Sequence, residues 1–199
     1  KNVSFSYHPG ESENILNNIS LHIPENKVTA IVGPSGCGKT TLFKLMLGLY
    51  HPQKGKIITG NIALNSLDID LWRSKCSAVL QDGFLFTDSI MNNVLMNDEK
   101  PDYARMIKAV ELANIKEYIE SLPLNYNTVV GQNGRGLSTG QKQRLLIARA
   151  LYKDADFIFL DEATNALDAG NEKSILGNLK QLMHNKTVIV IAHRLSTIR

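Results

Sequence analysis

Scarcity narrows this sequence before any motif does. Only 2 cysteines occur in 199 residues, Cys37 and Cys76, so no disulfide framework is implied and a reducing compartment is the plainer setting. No apolar run approaches the roughly 18 to 20 residues of a membrane span, and no charged-then-apolar leader opens the chain. Neither sign of charge dominates. The 22 basic residues stand against 19 acidic ones, a formal net charge of +3, far from the profile of a protein built mainly to coat nucleic acid. Internal repeats and low-complexity tracts are also missing. A start at Lys1 without Met and an abrupt end at "IAHRLSTIR" suggest a piece excised from a longer protein. What is present suffices for one domain with a sizeable core.

The first sixty-odd residues carry short β patterns, "VSFSY", "ISLHI", "KVTAIV" and "GNIAL", separated by turns rich in Pro, Gly and Asn. From about Asp102 to Glu120 the pattern becomes helical, with Ala104, Ile107, Val110, Leu112, Ala113 and Ile115 mostly on one face. The last third alternates "QKQRLLIARAL", "DFIFLD", "EKSILGNLKQLM" and "TVIVIA". Continuous apolar strands between helices predict a buried parallel sheet in an α/β fold.

Behind "VTAIV" stands "GPSGCGKTT", residues 33 to 41. Gly33, Gly38, Lys39 and Thr40 fit GxxxxGK[ST], the phosphate-binding loop. Glycines let backbone N–H groups curl round phosphate oxygens, Lys39 reaches the β- and γ-phosphates, and the Thr40 hydroxyl can ligate Mg²⁺. Ser35, Gly36, Cys37 and Thr41 complete the cradle, and a helix opening near Lys39 adds its positive end. The implied ligand is a nucleoside triphosphate. "FIFLDE" supplies the second acidic element: a buried strand delivers Asp161 towards the metal, with Glu162 beside it where water could be polarised. In "LSTGQKQR", residues 137 to 144, Ser138, Gly140 and Gln141 open a helix and offer a hydroxyl, free N–H groups and a dipole end to an anion.

These motifs, in this order, resemble the ATP-binding domain of ABC transporters across nearly the whole chain. "LSTGQ" is similar to that family's LSGGQ signature, with Thr139 where glycine is usual. The resemblance implies a P-loop NTPase fold of the ABC type: a β-rich N-terminal lobe, a RecA-like core with a parallel sheet, and an inserted helical subdomain. It implies one domain over residues 1–199, a helical insertion over about 84–150, and a missing C-terminal end of the domain. Tyr7 corresponds to the aromatic that stacks on adenine, Gln81 in "VLQD" to the glutamine that touches Mg²⁺ and the attacking water, Asp168 in "NALD" to the loop crossing the dimer, and His193 to the histidine that contacts the γ-phosphate. His8, His22, His51 and His184 remain structural. "VLQDGFLFTDSIMNNV" resembles exporters, nearest to peptide and bacteriocin exporters.

The function so implied is hydrolysis of MgATP by two domains packed head to tail, coupled to export, with ATP and Mg²⁺ as cofactors. The partners would be a second copy or paired domain and a transmembrane domain, at the cytoplasmic face of the membrane; nucleic acid is not among them. Three rivals stand beside it: a non-transport ATPase of the same family acting on DNA or ribosomes, a small-molecule kinase or GTPase, and a nucleotide-binding module without turnover. A GTPase would carry a base-reading NKxD, which is absent. Glu162 and His193 argue against the last.

Overall fold

The computed structural model describes residues 1–8, 14–96, 98–132, 134, 136–161 and 185–191. In chain order the elements are β1 (Val3–Phe5), β2 (Leu16–Ile19), β3 (Val28–Ile31), α1 (Lys39–Met46), β4 (Ile58–Thr59), β5 (Ile62–Ala63) and α2 (Ile69–Ser74). Then come β6 (Cys76–Val79), β7 (Asp88–Ser89), α3 (Ile90–Leu95), α4 (Tyr103–Leu112), α5 (Lys116–Glu120), β8 (Val129–Val130), α6 (Thr139–Lys153), β9 (Phe157–Asp161) and β10 (Thr187–Ile191). None of the described helices is long and apolar enough to cross a membrane.

Among the described residues, four strands form the central sheet in the order β3-β10-β9-β6, every pair parallel. The strand sequences "VIVI" and "FIFL" are apolar at every position because helices cover both faces. Side chains alternate across the sheet. Ile158, Leu160 and Val188 join a core with α3, α4 and α6, whereas Phe159, Ile189 and Ile191 join a second core with α1 and Trp72. The Trp72 indole is tied down as well, donating to the Met46 carbonyl at 2.9 Å. This fixes the C-terminal end of α1, and with it the helix that begins at the phosphate-binding loop.

One expectation is refined and one needs correction. The helical stretch expected from about Asp102 to Glu120 is α4 and α5, divided where Asn114 adopts φ 57°. Asn114 donates to the Glu111 carbonyl at 2.9 Å and Ile115 to the Val110 carbonyl at 3.2 Å, with Val110 and Ile115 both buried. That is a left-handed helix stop closed by an apolar contact, which helical periodicity does not register. The strand expected at "ISLHI" lies earlier, at Leu16–Ile19, since its partner β1 is only 3 residues long and pairing ends at Val3↔Ile19. The helix expected at "EKSILGNLKQLM" lies outside the described residues.

Candidate functional site

Parallel pairing puts the C-terminal ends of the central strands on one edge, and the chemistry gathers there. Ile31, the last residue of β3, is level with Ile191 of β10, which is level with Asp161 of β9; Leu160 is level with Val79 of β6. The phosphate-binding loop leaves this edge directly after β3. Gln81, exposed, follows β6 by two residues and so comes to the same edge.

The loop opens α1 without a side-chain cap: its N-cap is Gly38, in the left-handed region at φ 91°. A Cβ there would lie 2.7 Å from Leu16 Cδ2 and 3.2 Å from the Ile15 carbonyl oxygen, so both the turn and the close approach require glycine. Gly36 is likewise left-handed, at φ 78°. The first N–H groups of α1 therefore face outward with no cap side chain in their way, as anion binding needs.

Lys39 is only 8% exposed. Its ammonium donates to the Gly33 carbonyl at 2.9 Å and the Pro34 carbonyl at 2.8 Å, and lies 3.8 Å from Cys37 Sγ. Positive charge is thus held within the loop's own curve. Next to it, the Thr40 hydroxyl donates to Asp161 Oδ2 at 2.6 Å. Asp161 is 1% exposed, so a carboxylate and a hydroxyl from elements 121 positions apart meet at one buried point beside a lysine. Two hard oxygen donors of this kind suit Mg²⁺.

Tyr7 follows β1. Its ring stands nearly perpendicular to Phe5 (centroids 5.0 Å apart) and to Tyr50 (5.2 Å), and its hydroxyl shares a 3.3 Å hydrogen bond with the Thr41 hydroxyl in the first turn of α1. Tyr7 is 38% exposed, which leaves ring surface for a ligand. The structure therefore brings Tyr7, Gly33, Ser35, Gly36, Cys37, Gly38, Lys39, Thr40 and Thr41 into one region joined to Asp161, with Gln81 at the same edge. Glu162, Asp168 and His193 lie outside the described residues.

Ser138, Gly140 and Gln141 sit apart from that set, at the start of α6. Here the structure builds a complete capping box: Ser138 Oγ accepts from the Gln141 N–H at 3.2 Å, and Gln141 Oε1 accepts from the Ser138 N–H at 2.9 Å. Ser138 and Thr139 are exposed.

A half-buried knot in the segment after Gln81 was not anticipated from the sequence. Arg149, in mid-α6, donates to the Asn93 carbonyl at 2.8 Å, to Asn93 Oδ1 at 2.8 Å and to the Phe84 carbonyl at 3.0 Å. Burial lowers the Arg149 pKa from its ordinary value. Asn93 in turn donates to the Phe86 carbonyl at 2.9 Å and accepts the Phe86 N–H at 2.9 Å. The segment after Gln81 is thereby fastened to α6 with Phe84 and Phe86 left exposed, their rings 5.0 Å apart. A lone arginine inside "LLIARAL" was the available signal.

The two thiols differ sharply. Cys76 is buried, and burial pushes its pKa up to about 12, while Cys37 is exposed on the loop.

Comparison with known proteins agrees with this geometry. The family model described as ABC transporter matches residues 16–165. An ATP-dependent lipid A-core flippase of Haemophilus influenzae is 44% identical over the whole chain, which covers 34% of that protein. The exotoxin translocation ATP-binding protein PaxB of Pasteurella aerogenes is 42% identical, again over the whole chain and 28% of its own length. A solved structure of a bacterial Atm1-family ABC exporter with ATP bound superposes with a TM-score of 0.92 at 38% identity, covering 99% of this chain and 34% of that one. The chain spans about a third or less of the length of these relatives.

Proposed function

The chain belongs to the ABC transporter family, and from that premise we propose that it is the ATP-binding and hydrolysing domain of an exporter, working as a head-to-tail pair around two ATP molecules. The observation that carries this reading is the 2.6 Å contact of Thr40 with Asp161 beside Lys39, which assembles a phosphate cradle and a cation-ready oxygen pair at one sheet edge.

In this reading the open amides of the loop and the Lys39 ammonium hold the triphosphate, and Tyr7 takes the base. Thr40, Asp161 and Gln81 are the residues that would hold Mg²⁺; the ion, when bound, neutralises charge on the β- and γ-phosphates. Glu162 orients the attacking water and takes its proton, and His193 steadies the γ-phosphate. Because phosphoryl transfer to water demands positioning and charge neutralisation, these groups need only be held in place. Ser138, Gly140, Gln141 and Asp168 complete the site of a second copy, so each ATP lies between two chains.

The partner on the other side is a transmembrane domain at the cytoplasmic face. Exposed Phe84 and Phe86, next to Gln81 and locked by Arg149, offer that domain an apolar surface. Cargo contacts belong to membrane segments, so this domain does not single out a cargo. Relatives of near-equal identity named for lipid A-core and for an exotoxin fit a motor shared among cargoes.

The test is ATP turnover against protein concentration. A rate rising with about the square of concentration supports the paired site. The Glu162→Gln chain should bind MgATP normally yet turn over slower by roughly 10² to 10⁴, the contribution of a positioned general base. Normal turnover by that variant would remove Glu162 from its role.

A further inference from the structure

The segment that carries Tyr7 is held by a side chain acting as a strand. Ser4, within β1, forms an isolated antiparallel bridge with Lys54: the Ser4 N–H donates to the Lys54 carbonyl at 3.0 Å, and the Lys54 N–H to the Ser4 carbonyl at 3.3 Å. The Gln53 N–H also donates to the Ser4 carbonyl, at 3.0 Å, so Gln53 and Lys54 both stand opposite Ser4 in a bulge and the backbone bridge goes no further.

The side chain of Gln53 takes up the next rung. Its Oε1 accepts the Ser6 N–H at 3.0 Å and its Nε2 donates to the Ser6 carbonyl at 2.6 Å. A primary amide carries the same donor and acceptor as a peptide group, so one side chain replaces the whole rung. Ser6 is 8% exposed, and polar groups that far from water are costly unless paired. The following residue is Tyr7. The same short segment also supplies Tyr50, whose ring meets Tyr7 edge-on at 5.2 Å. Residues 50 to 54 thus hold both the backbone before Tyr7 and the ring itself.

We propose that Gln53 is a positioning residue for Tyr7: by supplying through its side chain the rung that follows the bulge, it fixes the aromatic platform for the adenine base and so sets the base-dependent share of nucleotide affinity. This rests on the reading of the phosphate-binding loop as a nucleotide site with Tyr7 at the base.

Calorimetric titration of the chain with MgATP and, separately, with magnesium tripolyphosphate tests it. Gln53→Met keeps the length and removes both hydrogen bonds. We expect it to weaken ATP about tenfold, the order of one base–aromatic stack, with tripolyphosphate unchanged. Tyr7→Ala should give the same pattern. In the Tyr7→Ala background Gln53→Met should cost no further ATP affinity, and unchanged tripolyphosphate binding shows that each variant is folded. Equal loss for both ligands, no loss for either, or a further loss in the double variant would overturn the proposal. If the unaltered chain bound neither ligand, the nucleotide-site reading itself would fall.

Discussion

Two helices of this domain begin at sequences suited to anions, and they begin in opposite ways. α1 starts from a left-handed glycine with no side-chain cap, next to a lysine ammonium and a hydroxyl–carboxylate pair. α6 starts from a serine whose cap and reciprocal glutamine bond already occupy two of the free N–H groups at that end. The first end is exposed to a ligand and surrounded by its own chemistry. The second is content within its own turn and lies on the surface. A helix start becomes a working phosphate site when the rest of the site is built round it. Under the proposed head-to-tail pairing, self-capping would keep that end stable until a partner brings the ligand.

The contrast can be broken by substitution. The largest effect should come from Lys39→Ala, which removes the only charge inside the loop and should weaken MgATP binding about a hundredfold, as loss of charge-assisted hydrogen bonds to phosphate implies. Calorimetry of single chains measures this. A change below threefold would mean that the open end of α1 binds without its lysine. Next in size is protection of the loop thiol. A maleimide should label exposed Cys37 and spare buried Cys76, and saturating MgATP should slow Cys37 labelling about tenfold, read by intact mass; equal rates with and without nucleotide would count against the loop assignment. Smallest is Ser138→Ala. It should cost about 1 kcal/mol of stability, the usual worth of an N-cap, in denaturant unfolding. ATP affinity of the dilute chain should stay unchanged, whereas the steep concentration dependence of turnover should fall; an unaltered dependence would confine Ser138 to capping.

Local chemistry was legible in the sequence and distant pairing was not. The strand, glycine loop and helix over residues 28 to 46 could be read in order because each is specified within a few residues, and α1 begins at Lys39 as expected. Asp161 could be placed at a strand end for the same reason. The stop at Asn114 escaped because a left-handed residue leaves the apolar rhythm intact on both sides. Gln53 escaped for another reason: its role depends on a backbone segment 47 positions away, and nothing in "HPQKG" names that segment. The pairing of Thr40 with Asp161 was legible only as two separate metal ligands, joined by a sheet order that no local pattern encodes.

That sheet order also sets a timetable for synthesis. Of the four central strands described, β10 is the last to leave the ribosome, yet it lies between β3 and β9 and is the one described neighbour of β3 in the sheet. Even the small contact of the Asn26 N–H with the Thr187 hydroxyl spans 161 positions. At ordinary elongation rates the strand that leads into the phosphate loop waits on the order of ten seconds for its partner. A nascent chain can fold its helical side early, but it cannot present a finished nucleotide site until almost all of these residues have emerged.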